Sequence, residues 1–175
     1  LLELAEAIVI DAIAATMDLY GVTPSVGRLY GVMYFSDKPM SLDEMSKKMG
    51  MSKPSMSTGI HSLLEIDMVQ KVWQKGVRKD LYEAEKDFFK SFVSFFCKKW
   101  NREITVNLEA IEQSEKILAR LLVDPNTPEP VRSKAQQDLL LIEESKQYYE
   151  WLRKLVAVIK NRKIFELLET FSPGD

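Results

Sequence analysis

Cysteine and histidine are nearly absent: the 175 residues hold one of each, Cys97 and His61. A single cysteine makes no intrachain disulfide, and one of each type cannot furnish the ligand set of a structural zinc. No metal or cofactor is therefore expected. No Ser/His/Asp set and no glycine-rich phosphate loop is present either, which argues against an enzyme. Cys97 falls on an apolar helical stripe and reads as packing, a usage that suits a reducing cytoplasm. Long uncharged apolar runs are missing too. Residues 1–20 come nearest, yet they carry Glu3, Glu6, Asp11 and Asp18 and no Lys or Arg. A signal peptide needs a positive leading region, and a membrane span does not tolerate four scattered carboxylates. No membrane partner is expected. These residues read as a soluble helix with protein on more than one side, a first pointer to dimerisation. The chain opens on Leu1 and not Met, which points to a start upstream.

Glycine and proline number seven each and act as punctuation. Gly21-Val22-Thr23-Pro24 closes the first helix and opens a second over residues 24–35, with Thr23 as cap and Pro24 at the first helical position. Ser41-Leu42-Asp43-Glu44 has the spacing of a capping box and starts a short helix that Gly50 stops. Ser52 caps a further helix over residues 53–66, whose inner positions are Met56, Ile60, Leu63 and Leu64. The period then changes. Residues 68–74 and 80–84 read as strands around a basic turn containing Lys75, Arg78 and Lys79. From Lys86 the pattern is helical again, with Phe88, Phe92, Phe96, Trp100, Ile104, Leu108 and Ile111 in a stripe that Ile117, Leu118, Leu121 and Leu122 close. A proline-rich break at 124–130, with Thr127 as cap, leads to a second long helix over 131–160. A short segment, 164–171, precedes the terminal Ser-Pro-Gly-Asp.

Three helices followed by a small basic hairpin is the order of a winged helix-turn-helix. The fold expected is mainly α: that module, with its hairpin wing, plus long dimerisation helices. Residues 1–85 form the DNA-binding part, with helix 1–20 contributing to the dimer, and residues 86–175 the helical dimerisation and effector region. The helix over 53–66 suits the major groove: Ser55, Ser57, Thr58, His61 and Ser62 are small or medium polar groups able to approach base edges. Gly59 removes a side chain where the groove would crowd. Lys47, Lys48 and Lys53 are placed to meet phosphates, Lys75, Arg78 and Lys79 a minor groove or backbone, and Ser52 is counted with the same DNA surface. Residues 47–79 hold seven bases and two acids, a net of +5, while the whole chain is −2. Phosphate attraction is thus concentrated on one module. The alternatives are a solvated basic face and a winged helix that binds protein. Two modules about one helical turn apart read a palindrome, so double-stranded DNA and a second copy of the chain are the expected partners.

Ser52-Lys53-Pro54-Ser55-Met56-Ser57-Thr58-Gly59-Ile60-His61-Ser62-Leu63-Leu64, then Met68-Val69, resembles the recognition helix and wing entry of MarR-type regulators. Leu19-Tyr20-Gly21-Val22-Thr23-Pro24-Ser25-Val26-Gly27-Arg28-Leu29-Tyr30-Gly31 and Val72-Trp73-Gln74-Lys75-Gly76-Val77-Arg78-Lys79-Asp80-Leu81-Tyr82-Glu83-Ala84 resemble the GbsR-type branch, choline-responsive repressors of osmoprotectant synthesis and uptake. The likeness is sharp over residues 19–85. It departs at Thr58, where many MarR-type proteins carry arginine, so the operator sequence does not carry over. The resemblance implies a homodimeric repressor relieved by a small ligand such as choline or glycine betaine. A quaternary ammonium is best held by aromatic faces. Phe92, Phe96, Trp100, Tyr148 and Trp151 are the candidates, with Trp100 and Trp151 able to approach if their helices are antiparallel; Tyr30 and Tyr34 are the alternative. Plain core packing of that stripe, and a repressor that senses ionic strength with no organic ligand, remain open beside it.

Overall fold

The computed structural model describes residues 1–171; residues 172–175, the Ser-Pro-Gly-Asp end, lie outside the described residues. The order is α1 (Leu2–Thr16), a 3-10 turn (Met17–Tyr20), α2 (Pro24–Tyr34), α3 (Leu42–Met49), α4 (Lys53–Glu65), β1 (Val69–Val72), β2 (Leu81–Ala84), α5 (Phe88–Val123), α6 (Glu129–Lys160) and α7 (Lys163–Glu169). By packing, the chain forms two units that divide within α5, between Phe95 and Phe96.

The first unit is a winged helix. Its core gathers Leu29, Tyr30 and Met33 of α2, Met45 of α3, Met56, Ile60 and Leu63 of α4, and Met68. All eight methionines of the chain lie in or against this cluster. Their unbranched side chains fill the irregular gaps between short helices that meet at differing angles. Tyr30 donates its hydroxyl to the carbonyl of Glu85 at 2.8 Å, tying α2 to the segment after the hairpin, and burial pushes its pKa upward. Two glycines bring α1 onto α2. A Cβ at Gly27 would stand 2.7 Å from the Met17 Cβ, and one at Gly31 would stand 3.1 Å from Ile10. Only Ile10 and Ala14 of α1 are buried by this contact. Leu1, Leu2, Leu4, Ile8 and Val9 stay exposed, so the expectation of protein on more than one side is not met within one chain, where α2 supplies most of the cover.

β1 and β2 pair antiparallel with Val69 opposite Ala84 and Val72 opposite Leu81. The strands are shorter than expected at the turn end, because the ladder stops before Trp73 and Asp80. Met40, just ahead of α3, adds a bridge: its amide donates to the Tyr82 carbonyl at 2.8 Å and the Tyr82 amide returns the bond at 2.9 Å. The hairpin is thereby pinned to the start of the helix-turn-helix.

The second unit is an antiparallel hairpin of α5 and α6 followed by α7. Cys97 faces Val156, whose carbonyl its thiol meets at 3.8 Å, and burial raises the thiol pKa. Lys146 reaches across from α6 to Glu115 at 2.6 Å. Ile104, Ala135, Leu152 and Ile159 are buried, as the stripe requires, whereas Ile117 is exposed. Thr127 does not cap α6. Pro128 holds that position, and the Arg132 guanidinium donates instead to the carbonyls of Asp124 and Thr127. Thr23 occupies the cap position of α2 but its hydroxyl bonds Ser25, not a helix amide.

Candidate nucleic-acid interface

The turn between α3 and α4 sets the site. The capping box at the start of α3 forms: the Ser41 hydroxyl accepts from the Glu44 amide, while the Glu44 carboxylate accepts from the Ser41 amide at 2.7 Å. Those bonds hold the Glu44 carboxyl below its ordinary pKa. Gly50 closes α3 at a φ of 64°, with open space around it, so its requirement is conformational rather than steric. Ser52 then caps α4 by accepting from the Ser55 amide. At the far end Asp67 takes a φ of 55°, which stops α4 and turns the chain into β1; its carboxylate accepts from Ser94.

These local signals fix which face of α4 points out. Met56, Gly59, Ile60 and Leu63 are buried, while Lys53, Ser55, Thr58 and His61 are exposed and Ser57 and Ser62 half-buried. Gly59 therefore lies on the inner face, contrary to the reading that it spares room in the groove. A Cβ there would stand 3.3 Å from the Leu29 side chain and 3.4 Å from that of Val26, so the glycine serves close approach of α4 to α2. The Thr58 hydroxyl donates to the Pro54 carbonyl and the Ser62 hydroxyl to that of Thr58. Both face outward mainly as acceptors, whereas His61 remains the bulkiest polar group on this surface.

Lys47 and Lys48 are exposed at the end of α3, and Lys75, Arg78 and Lys79 on the wing loop, residues 73–80, which is exposed throughout. All twelve residues expected at a DNA surface thus lie in the winged-helix unit. They differ in freedom. Lys53 lies 2.8 Å from one oxygen of Asp43, and Lys79 lies 2.6 Å from the other. The two lysines hold the Asp43 carboxyl down to about 2. Lys71 pairs with Asp80 at 2.8 Å. Lys47, Lys48, Lys75 and Arg78 have no ion-pair partner among the described residues. Asp43 is the functional neighbour that sequence reasoning passed over. It sits inside the capping box, where an acid is explained by the helix terminus alone; the signal was a second acid, beside Glu44, ahead of a basic stretch.

The aromatic set is dispersed. Phe92 belongs to the winged-helix unit and the other four to the helical hairpin. Phe96 packs on Trp100 with centroids 5.7 Å apart, and Tyr148 stacks on Trp151 at 6.1 Å. Beside Trp151 an open groove of about 480 Å³ is lined also by Leu108, Glu143, Lys146, Gln147, Glu150 and Lys154. Tyr30 is core, and Tyr34 stacks on Phe88 at 5.1 Å.

Known proteins resemble the chain over nearly its whole length. It is 46% identical over 167 residues to the HTH-type transcriptional repressor GbsR of Bacillus subtilis (strain 168), spanning 95% of this chain and 92% of that one. The chain belongs to the GbsR family of transcriptional regulators. Residues 88–166 match the C-terminal helical hairpin of GbsR family transcriptional regulators. The HTH-type transcriptional repressor OpcR of the same organism is 36% identical over 94% of this chain and 89% of its own length. A crystal structure of a transcriptional regulator superposes with a TM-score of 0.60 over 91% of this chain and 97% of that one; at 14% identity it speaks for the fold. The chain is accordingly a DNA-binding regulator of transcription and not an enzyme. No helix among the described residues is long and apolar enough to cross a membrane.

Proposed function

We propose that two copies of this chain bind a palindromic operator in the cytoplasm, each with α4 in the major groove and its wing in the adjacent minor groove, and repress osmoprotectant genes until a small quaternary ammonium compound releases them. The observation that carries the DNA-facing part is the outward, polar face of α4 beside the unpaired cations Lys47, Lys48, Lys75 and Arg78. Residues 1–85 bind DNA on this reading, and residues 86–175 supply dimerisation and effector response. The second copy covers the exposed apolar face of α1. Trp151 offers the aromatic face that favours a trimethylammonium cation, in a groove where Glu143 and Glu150 are balanced by Lys146 and Lys154.

A gel shift with the gene's own promoter, with and without choline or glycine betaine, tests this reading together with calorimetry on each compound. Retarded promoter DNA that either compound releases, with heat of binding, supports it. Weak, sequence-blind binding contradicts it and points to a protein-interaction module. Promoter binding that responds only to inorganic salt removes the organic effector and leaves direct ionic sensing.

A further inference from the structure

Trp73 follows the last residue of β1 and begins the wing loop, and 81% of it is exposed. Other aromatics of this unit find rings, as Tyr20 meets Phe95 and Tyr34 meets Tyr30, Phe35 and Phe88, or are buried, as Tyr82 is. Trp73 has no ring contact, hydrogen bond or cation partner among the described residues. Leaving a tryptophan in water forgoes the largest apolar burial any side chain offers, and such residues concentrate where another molecule covers them. Its surroundings state what kind of molecule. Lys75 and Arg78 stand unpaired on the same eight-residue loop, Lys79 lies in it paired with Asp43, Lys71 precedes it paired with Asp80, and Val77 is exposed beside them. Gly76, at a φ of 84°, reverses the chain at its tip. The result is a narrow finger with an apolar plate between cations. A minor groove has the complementary form: phosphate rims, walls of apolar deoxyribose, and acceptors on its floor at every A·T pair.

We propose that Trp73 is a DNA-contacting residue, its indole packed in the minor groove beside Arg78 and its N–H directed at the adenine N3 and thymine O2 acceptors. This rests on the reading that the wing meets DNA, and adds to it an uncharged contact. The distinction is measurable. Loss of a cation lowers both affinity and the dependence of affinity on salt, whereas loss of an apolar plate lowers affinity alone.

The full-length protein carries 5-fluorotryptophan at all three tryptophans, and the signal missing from Trp73→Phe assigns residue 73. On saturation with the promoter duplex the Trp73 fluorine resonance shifts and loses its solvent isotope effect. Trp73→Ala weakens promoter binding about 5- to 100-fold, the range seen for aromatic contacts to nucleotides, with an unchanged salt slope. Trp73→Phe retains most of the affinity and loses preference for A·T pairs at the wing site. Arg78→Ala, measured alongside, separates the two ideas. If it weakens binding and flattens the salt slope while the Trp73 signal and Trp73→Ala show nothing, the tryptophan contact is wrong and the wing reading stands. If neither variant changes binding, the wing reading itself fails. A Trp73 signal already shielded from solvent without DNA overturns the proposal, because a second protein chain then covers it.

Discussion

Lys79 on the wing places its ammonium 2.6 Å from the Asp43 carboxylate at the start of α3. The second oxygen of Asp43 holds Lys53 at 2.8 Å, at the first turn of α4. One carboxylate therefore ties together the wing, α3 and α4. It also occupies two cations that a phosphate would otherwise take. All three groups are substantially exposed, so a phosphate can displace the carboxylate. Asp43→Asn is expected to raise affinity for random-sequence DNA. It should also steepen the salt dependence of that binding, by about 0.9 in the logarithmic slope for each lysine that gains a phosphate. Titrations of labelled DNA at several salt concentrations check this; an unchanged slope shows that neither lysine gains a phosphate when the Asp43 carboxylate is removed.

The same geometry fixes a pH range. Because the folded carboxyl of Asp43 sits near 2, below its ordinary 3.8, the paired form is complete above about pH 4 and lost only as pH falls toward 2. Between pH 5 and 8 the two pairs do not respond to acid. The side-chain carboxyl resonance of Asp43 should stay flat over that range, and should begin to titrate at higher pH in a Lys53→Ala, Lys79→Ala double variant. A midpoint near 4 in the parent protein would contradict the pairing.

Lys53→Ala and Arg78→Ala each weaken operator binding at matched salt. The arginine change also flattens the salt slope, since Arg78 has no internal partner to leave. The lysine change has the smaller effect on slope, because Asp43 already neutralises part of its charge in the free protein.

The capping box is a stability prediction. Ser41→Ala leaves the Glu44 amide without its hydroxyl acceptor and is expected to cost about 1 kcal/mol, or about 2–4 °C in thermal midpoint for a chain of this size. Glu44 is held below its ordinary 4.5 chiefly by the Ser41 hydroxyl, so this contribution is present above that pH and fades below it. The difference between parent and variant should shrink from pH 7 to pH 3.5; a constant difference points to lost packing at the buried Ser41 instead.

Gly27→Ala brings a Cβ to within 2.7 Å of Met17 Cβ and 3.0 Å of the Ala14 backbone. Helix propensity favours alanine by about 1 kcal/mol, yet the contact is with the Ala14 backbone and the Met17 Cβ, neither of which can swing aside. A net loss of about 1–3 kcal/mol is expected from this overpacking, read by denaturant unfolding. A stabilised variant would mean that α1 rests on α2 more loosely than the structure shows.

Much of the winged helix was legible because its boundaries are written in local chemistry. Ser41 with Glu44, Gly50 and Ser52 each satisfy a helix end by themselves, so α3 and α4 follow from four residues. What was not legible depended on long-range neighbours. Gly59 reads as an outward gap in sequence and is an inward one in space, because the identity of its neighbour, Leu29, is set thirty residues earlier. Asp43 has a sufficient local role, which hid its second one. Thr127 looked like a cap, yet Pro128 and Arg132 took over its end of α6. The uneven exposure of the aromatic stripe likewise depends on which faces of α5 and α6 meet, and periodicity alone does not choose among them.

The most direct test is the affinity of the full-length protein for its own promoter duplex against a scrambled duplex of equal length, each measured over a series of salt concentrations. The account predicts promoter binding about a thousandfold tighter or more, with both affinities falling as salt rises and both lowered in Lys53→Ala. Equal affinity for the two duplexes, or binding indifferent to salt, would contradict it.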